Sequence, residues 1–278
     1  ILSVFLVVVV TLIALGLRLR AVELLPIDYD EDDYLSAGQR YAQFIRQGDW
    51  QSIIDYEFNY EHPPLTKIIY GLVILPLPEE RLLPELSPNI PPASSLPQPH
   101  FEYGRLTAAT FGALSAFALA VLDPLGGFFL GIHTWTIKYT SQIMLEPLPA
   151  LVSLLTVLCY ARWKKGKLMR WLWLSAFFLG ITAASKYTYC IIGVAILVDW
   201  LLDEFSARGD QPEPAPAWRS LVLPLAWGVL AVAVFVIFDP RMWNDPLGRL
   251  AQSLLYHGDY AQSQHVQEAG FPSWQPLV

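Results

Sequence analysis

Long apolar runs are the feature that most constrains the fold of this chain. A helix needs about 20 mostly apolar residues to cross a bilayer, because the hydrocarbon core is about 30 Å thick. Apolar residues make up 54% of the 278 residues and charged residues only 15%, against about 25% charged in ordinary soluble domains. Runs that approach the required length lie near residues 1–20, 104–122, 125–141, 147–163, 170–186, 187–202 and 219–238. We therefore predict an all-α, polytopic membrane protein.

The first apolar run begins at Ile1 without an initiator methionine. We interpret it as the body of a transmembrane helix that begins before Ile1. We interpret residues 1–278 as the N-terminal part of a longer membrane module. A signal peptide is the alternative, but no small-residue cleavage site follows Arg18 and Arg20.

Charge is unevenly distributed along the chain, although the net charge is −7. Five basic residues lie in the short loop 162–170, and such loops mark the cytoplasmic side of a membrane. Counting spans from that loop puts an external loop at 21–103, membrane helices over 104–238 and a second external segment at 239–278. The count requires that 65–77, which contains Lys67, is too short to cross. Because the basic loop lies between apolar runs, we do not expect nucleic acid as a partner.

The predicted external loop opens with an acidic run over 28–33. Asp30 is a plausible N-cap for an amphipathic helix that lies along the membrane surface and ends at Gly48. Its predicted apolar stripe consists of Tyr34, Leu35, Gly38, Tyr41, Ala42 and Ile45. Residues 76–99 contain eight prolines, which predicts an irregular loop.

Asp30 and Glu31 are our first candidates for catalytic residues. A carboxylate at a helix N-terminus stays ionised, as a base that accepts a proton must. An acidic N-terminal turn in water is the simpler alternative, since the helix dipole alone favours it.

A second motif, Glu61-His62-Pro63-Pro64, comes about thirty residues after the acidic run. The two prolines force an extended backbone at His62 and allow a helix to begin next, which fixes the direction of the preceding side chains. With Lys67 one turn later, the motif resembles a clamp for an anionic head group. Snorkelling of Lys67 to the interface is the alternative.

Three further ionisable residues, Arg105, Glu146 and Lys186, border or interrupt apolar runs on the predicted external side. Such groups are costly at membrane depth unless they snorkel, pair or serve a site. Two cations on one face could bind a phosphodiester and stabilise a departing phosphate. These residues therefore point to a lipid-phosphate substrate.

The order of these motifs resembles the GT-C membrane glycosyltransferases, especially the protein O-mannosyltransferase and aminoarabinose-transferase branch, glycosyltransferase family 39. The matching segments are Asp30-Glu31-x-x-Tyr34, His62-Pro63-Pro64-Leu65 with Lys67, Arg105-Leu106, Tyr139–Glu146 and Ser185-Lys186-Tyr187. Two departures are Gln142, where relatives often carry arginine, and Glu146, where aspartate is common.

The resemblance implies a GT-C helical bundle with a long external first loop and an inverting sugar transfer from a polyprenyl phosphate to an acceptor hydroxyl. Asp30 would be the base, assisted by Glu31. Lys186, Arg105 and Lys67 would hold the donor phosphate, and Glu61, His62, Tyr34 and Glu146 would contact substrate. A divalent ion, Mg²⁺ or Mn²⁺, would sit on Asp30 and Glu146 if one is used.

The same resemblance implies a protein, lipid or glycan acceptor, and a plasma-membrane enzyme whose active site faces outside. A transporter or flippase of lipid-linked sugars is the alternative function, since it also needs cations and a membrane groove. Such a protein would place ionisable groups near the bilayer midplane, in two related halves, which we do not find. A membrane scaffold that keeps only the fold is a third hypothesis.

Overall fold

A computed structural model describes residues 2–85, 96–209 and 217–262, the side chains of 204–220 and of 261 excepted. These ranges contain α-helices and no β-strand. The helices are α1 Leu2–Leu24, α2 Glu31–Gln47, α3 Trp50–Asp55, α4 Leu65–Ile74, α5 Gln98–Leu122, α6 Pro124–Ile132, α7 Thr134–Tyr139, α8 Pro147–Gly166, α9 Met169–Ser185, α10 Ile191–Gly209, α11 Ala217–Phe238 and α12 Pro246–Ala261. Single 3₁₀ turns, Tyr187–Cys190 and Pro240–Trp243, precede α10 and α12.

Within the described residues, three helices are long and apolar enough to cross a membrane by length and composition. They are Leu2–Leu24, Gln98–Leu122 and Leu221–Phe238. They correspond to the predicted spans at 1–20, 104–122 and 219–238. Helices α8, α9 and α10 lie at the predicted spans 147–163, 170–186 and 187–202, but their described residues do not meet this criterion of length and composition. One predicted span has no single helix at its position.

The exception is 125–141, where the prediction of one continuous span was wrong. The segment forms two short helices, α6 and α7, of nine and six residues. They meet at His133, whose backbone is extended and whose ring Nδ1 accepts a hydrogen bond from the Thr136 amide. Helix α6 also folds back against α5, where a Cβ on Gly127 would lie 2.5 Å from the Ala120 Cβ.

The long helices pack side by side, and α5 and α8 both begin at the end of the bundle that carries Glu31. Helices α8 and α9 form a hairpin, so that Glu146 before α8 meets Lys186 after α9 at one end. At the opposite end, Lys164 of α8 reaches Asp199 of α10 at 2.8 Å. The predicted basic loop 162–170 forms the last turn of α8, the connection 167–168 and the start of α9, and it lies at the end of the bundle away from Glu146 and Lys186.

A layer of short helices covers the end that carries Glu146 and Lys186. In this layer α2 crosses α4 closely, because a Cβ on Gly71 would lie 2.8 Å from the Gly38 carbonyl oxygen. The layer is fixed to the bundle by the Tyr70 hydroxyl, which donates to the Met144 carbonyl at 2.6 Å. Helix α4 has only ten residues, which agrees with the prediction that 65–77 does not cross.

Helix α2 begins and ends at the predicted residues. Asp30 precedes its first turn, and Gly48 ends it with a left-handed backbone, φ 66°. Its predicted stripe is buried except for Ile45, but Ala37 on another side is also buried. The helix is therefore enclosed by neighbours on several sides and does not lie free on a surface. Of the proline-rich loop, residues 76–85 contain no helix, and 86–95 lie outside the described residues.

Candidate active site

Asp30 has a carboxylate that is free to face a ligand. It stands at the N-cap position of α2, but its backbone is helical and its side chain makes no capping hydrogen bond. The Tyr34 hydroxyl, one turn later, donates to this carboxylate. Burial, and then repulsion from Asp28 and Glu146, raise the pKa of Asp30, while Lys186 lowers it. A carboxyl group with a raised pKa is better suited to accept a proton near neutral pH than an ordinary aspartate.

Asp30 lines a cleft of about 590 Å³ between the start of α2, the segment 57–62 and helix α12. The cleft is both acidic and aromatic. Its lining includes the carboxylates Asp30, Asp33, Glu57 and Glu61, the tyrosines Tyr29, Tyr34, Tyr60, Tyr256 and Tyr260, and the imidazoles His62 and His257. Such a lining offers ring faces for stacking and carboxylates that accept hydrogen bonds from hydroxyl groups.

Lys186 and Glu146 form an ion pair beside Asp30. The Lys186 ammonium donates to Glu146 Oε1, and the two side chains remain 19% and 26% exposed. Both influence the pKa of Asp30, so the three charged groups form one cluster. The structure therefore brings together three predicted site residues that are up to 156 positions apart in the sequence.

Glu31 has a different environment from Asp30, although it is the next residue. Its carboxylate is fully buried and accepts hydrogen bonds from Arg105, from the Asp28 amide and from the Ile143 amide. No oxygen of Glu31 is left for a substrate hydroxyl. Glu31 thus ties α2 to α5 and to the segment before α8, which positions Asp30. The structure gives no support to a direct catalytic role.

Arg105 uses all its N–H groups inside the protein. Besides Glu31, it donates to three backbone carbonyls at the end of α1, those of Val22, Leu25 and Pro26, at 2.8–2.9 Å. Its side chain is 3% exposed. The predicted contact with a donor phosphate therefore has no free donor in this geometry, and Arg105 acts instead as a cap for α1.

Lys67 also points inward. Its ammonium donates to the carbonyls of Asn59 and His62, at 2.7 and 3.2 Å, and the residue is 1% exposed. Burial lowers the pKa of Lys67 to about 7. The predicted phosphate clamp is thus replaced by a support for the loop 59–62, which carries Glu61 and His62 into the cleft.

His62, of the Glu61-His62-Pro63-Pro64 motif, lines the cleft. Its ring lies 6.5 Å from the ring of Tyr34 and 5.6 Å from that of His257, between centroids. Burial, then the charge of Lys186, lowers the pKa of His62 to about 3. The imidazole is therefore neutral at physiological pH, and it offers one N–H donor and one acceptor to the cleft.

The segment Tyr139–Glu146 supports the site through its backbone. The Ile143 amide donates to Glu31, and the Met144 carbonyl accepts from Tyr70. The Gln142 side chain donates to the Pro26 carbonyl at 3.0 Å, so this residue also binds protein. Only Glu146, at the end of the segment, faces the charged cluster.

Residues after α11 also contribute to the site. Arg241 donates to the Tyr60 carbonyl, and its guanidinium lies 5.7 Å from the centre of the Tyr60 ring. Burial raises the pKa of the neighbouring Asp239 to about 6. The pair Asp245-Pro246 is a helix-start signal that could have predicted α12, since the Asp245 carboxylate accepts from the Gly248 amide at 3.0 Å.

A divalent ion does not fit the predicted pair Asp30 and Glu146. Among the described residues, no three His, Cys, Asp or Glu side chains are placed to hold a metal ion together. The ammonium of Lys186 already occupies the cation position beside Glu146.

No protein-family model matches this sequence, and a comparison with curated proteins finds no significant match. The resemblance to the GT-C enzymes accordingly stays a prediction.

Proposed function

We propose that this chain is the catalytic module of a multi-pass membrane glycosyltransferase of the GT-C type. In this proposal it transfers a sugar from a polyprenyl phosphate to an acceptor hydroxyl on the outer face of the plasma membrane. The observation that carries the proposal is the cluster of Asp30, Glu146 and Lys186. The Asp30 carboxylate has a raised pKa and lines the cleft, and the partly exposed ammonium of Lys186 lies close enough to lower that pKa.

Asp30 is the proposed base. As the acceptor oxygen forms its bond to the anomeric carbon, the hydroxyl proton passes to the Asp30 carboxylate, which Tyr34 orients. The bond between that carbon and the phosphate oxygen breaks, and the phosphate leaves with the bonding electrons. Attack from the face opposite the phosphate inverts the configuration at the sugar carbon.

Lys186 is the proposed phosphate ligand. A lysine ammonium has three N–H donors, and one of them is directed at Glu146. The remaining donors can bind the phosphate oxygens and stabilise the charge that develops as the phosphate leaves. Arg105 and Lys67 are no longer part of this role, because their donors bind carbonyl and carboxylate groups of the protein.

A lipid-borne substrate also has room close to Lys186. A groove of about 500 Å³ lies between α8 and the start of α10, and it is lined by the apolar side chains Leu154, Val157, Ile191 and Ile192 together with Ser153, Thr188 and Tyr189. Thr188 follows Lys186 by two residues. The arrangement supports a substrate with a charged phosphate and an apolar tail.

Transfer of radiolabelled sugar from a panel of polyprenyl-phosphate donors to a panel of acceptors tests the proposal. We expect turnover in the unsubstituted protein and in Asp203→Asn, a control carboxylate 55% exposed near the opposite end of the bundle. Asp30→Asn should lose turnover. Donor binding without turnover in every protein and with every acceptor would favour the transporter, and turnover that survives in Asp30→Asn would remove Asp30 as base.

A further inference from the structure

Helix α12 has two faces with opposite character. On its inner face, Arg249 donates to the Ile54 carbonyl and, at 2.8 Å, to the Asp55 carboxylate. One turn later, the Ser253 hydroxyl donates to the Tyr60 carbonyl at 2.9 Å, and the Tyr256 ring lies 5.5 Å from that of Tyr60. The inner face therefore holds α12 against α3 and against the loop that carries the cleft residues.

The outer face of α12 is apolar and uncovered among the described residues. Leu247, Leu254 and Leu255 are 80%, 56% and 66% exposed, and Ala251 between them is exposed as well. Their spacing of four, three and one residues places them on one stripe of a helix. Exposed leucines that occur singly need no explanation, but a continuous stripe on one helix marks a contact surface.

The chain path brings this stripe close to the end of a candidate membrane span. Helix α12 begins eight residues after α11 ends at Phe238. Those residues are held in place, since Arg241 binds the Tyr60 carbonyl and the Trp243 indole donates to the Val236 carbonyl of α11 at 2.8 Å. Trp243 is 55% exposed, and exposed tryptophan at the end of a span is typical of the lipid interface.

We propose that α12 is an interfacial helix that lies flat on the bilayer surface, with Leu247, Ala251, Leu254 and Leu255 in the outer region of the acyl chains. The described part of α12 carries no excess of positive charge, because Arg249 is paired with Asp55 and the remaining charged side chain is Asp259. Binding is therefore driven by the apolar stripe, and it does not require anionic lipid. Through Tyr256 and Tyr260 the same helix forms one wall of the cleft, so the lipid surface helps to set the position of that wall.

Nitroxide labels on α12 in reconstituted vesicles of zwitterionic phosphatidylcholine test this proposal. The labels are attached at Leu254→Cys and Leu247→Cys, and Gln252→Cys on the flank of the same helix is the control. The unsubstituted protein gives the background from Cys159 and Cys190. Accessibility to oxygen, which concentrates in lipid, is compared with accessibility to a water-soluble nickel chelate.

We expect oxygen accessibility to exceed nickel accessibility at both leucine positions and the order to reverse at Gln252. Equal or greater nickel accessibility at both leucine positions would overturn the proposal. Protection from both reagents would also overturn it, because a protein segment or a second copy of the chain would then cover the stripe. A requirement for anionic lipid would contradict the apolar mode of binding. The two leucine positions are independent, so either variant alone suffices if the other fails to fold.

Discussion

Arg105 and Glu31 form two parallel hydrogen bonds, 2.9 Å from Nε to Oε1 and 2.5 Å from Nη2 to Oε2, and their side chains are 3% and 0% exposed. The pair joins α5 to the first residue of α2, while the other N–H groups of Arg105 cap the end of α1. The position of Asp30 thus depends on a neighbouring ion pair that does not itself face the cleft.

We predict that Arg105→Met destabilises the protein strongly. Removal of one partner leaves the Glu31 carboxylate buried without its cation, a change that typically lowers the free energy of unfolding by about 3–5 kcal/mol. The midpoint of thermal unfolding in detergent measures the effect. Arg20→Met is the control, because the Arg20–Glu23 pair is 67% exposed on both sides and exposed pairs contribute little. Equal losses in the two variants would contradict the prediction.

Close packing of α2 on α4 predicts that Gly71→Ala is destabilising. The added methyl would meet the Gly38 carbonyl at 2.8 Å and the Tyr41 Cβ at 3.0 Å, which are backbone or backbone-linked atoms that cannot rotate away. Overpacking of this kind costs about 1–3 kcal/mol. Gly228→Ala, in helix α11, has no atom within 4 Å of the new methyl and should be neutral or stabilising. Unfolding midpoints that shift equally for both would show that the α2–α4 contact tolerates a larger separation.

Lys67 predicts a specific dependence of stability on pH. Burial lowers its pKa to about 7, whereas the unfolded chain has the ordinary value of 10.5. Between these values the unfolded chain binds more protons than the folded chain, so Lys67 makes stability rise with pH from about 7 to 10.5. Below pH 7 both states are protonated, and the penalty for burying the charge is fully present.

Lys67→Met should remove this rise, although it also removes two hydrogen bonds to the loop 59–62. Unfolding free energies measured between pH 6 and about 10 give the slope for each protein. Lys165 is an exposed lysine in the last turn of α8, so Lys165→Met serves as the control and should keep the slope of the unsubstituted protein. A slope that does not change in Lys67→Met would mean that Lys67 titrates at its ordinary value.

If Asp30 is the base, Glu146→Gln should move the acidic limb of the pH–rate profile to lower pH. Glu146 raises the pKa of Asp30 by repulsion, and its removal also frees Lys186, whose charge lowers that pKa. The expected change is a lower apparent pKa in kcat/KM, because Asp30 must be deprotonated to act. Glu57 lines the same cleft but is not among the causes of the raised pKa of Asp30. Glu57→Gln should therefore leave the acidic limb of the pH–rate profile in place. Movement to higher pH in Glu146→Gln would rule out this assignment.

The sequence predicted the elements whose signals are local. The end of α2 at Gly48 and the short α4 follow from glycine and from length. Helix α2 also starts at the predicted residue Glu31, although the Asp30 side chain does not cap it. Counting the ends of apolar runs placed Asp30, Glu146 and Lys186 on the same side of the bundle, and the structure brings the three together.

The sequence could not predict which charged residues bind other groups of the protein and do not face the cleft. Arg105 and Lys67 both donate to backbone carbonyls, and the Val22 carbonyl belongs to a residue 83 positions away from Arg105. Because every residue has a backbone carbonyl, such partners cannot be identified from residue types. The break at His133 was missed for a related reason. The apolar run 125–141 is long enough to cross, and only the close contact of Gly127 with α5 and the local cap at His133 divide it.

The most direct test of the proposed chemistry separates the base from the phosphate ligand. Donor affinity and single-turnover sugar transfer are measured for Asp30→Asn, Lys186→Gln and the control Asp203→Asn. We expect Asp30→Asn to bind the polyprenyl-phosphate donor normally and transfer no sugar, and Lys186→Gln to bind the donor more weakly. Full transfer in Asp30→Asn, or unchanged donor affinity in Lys186→Gln, would contradict the roles assigned to this cluster.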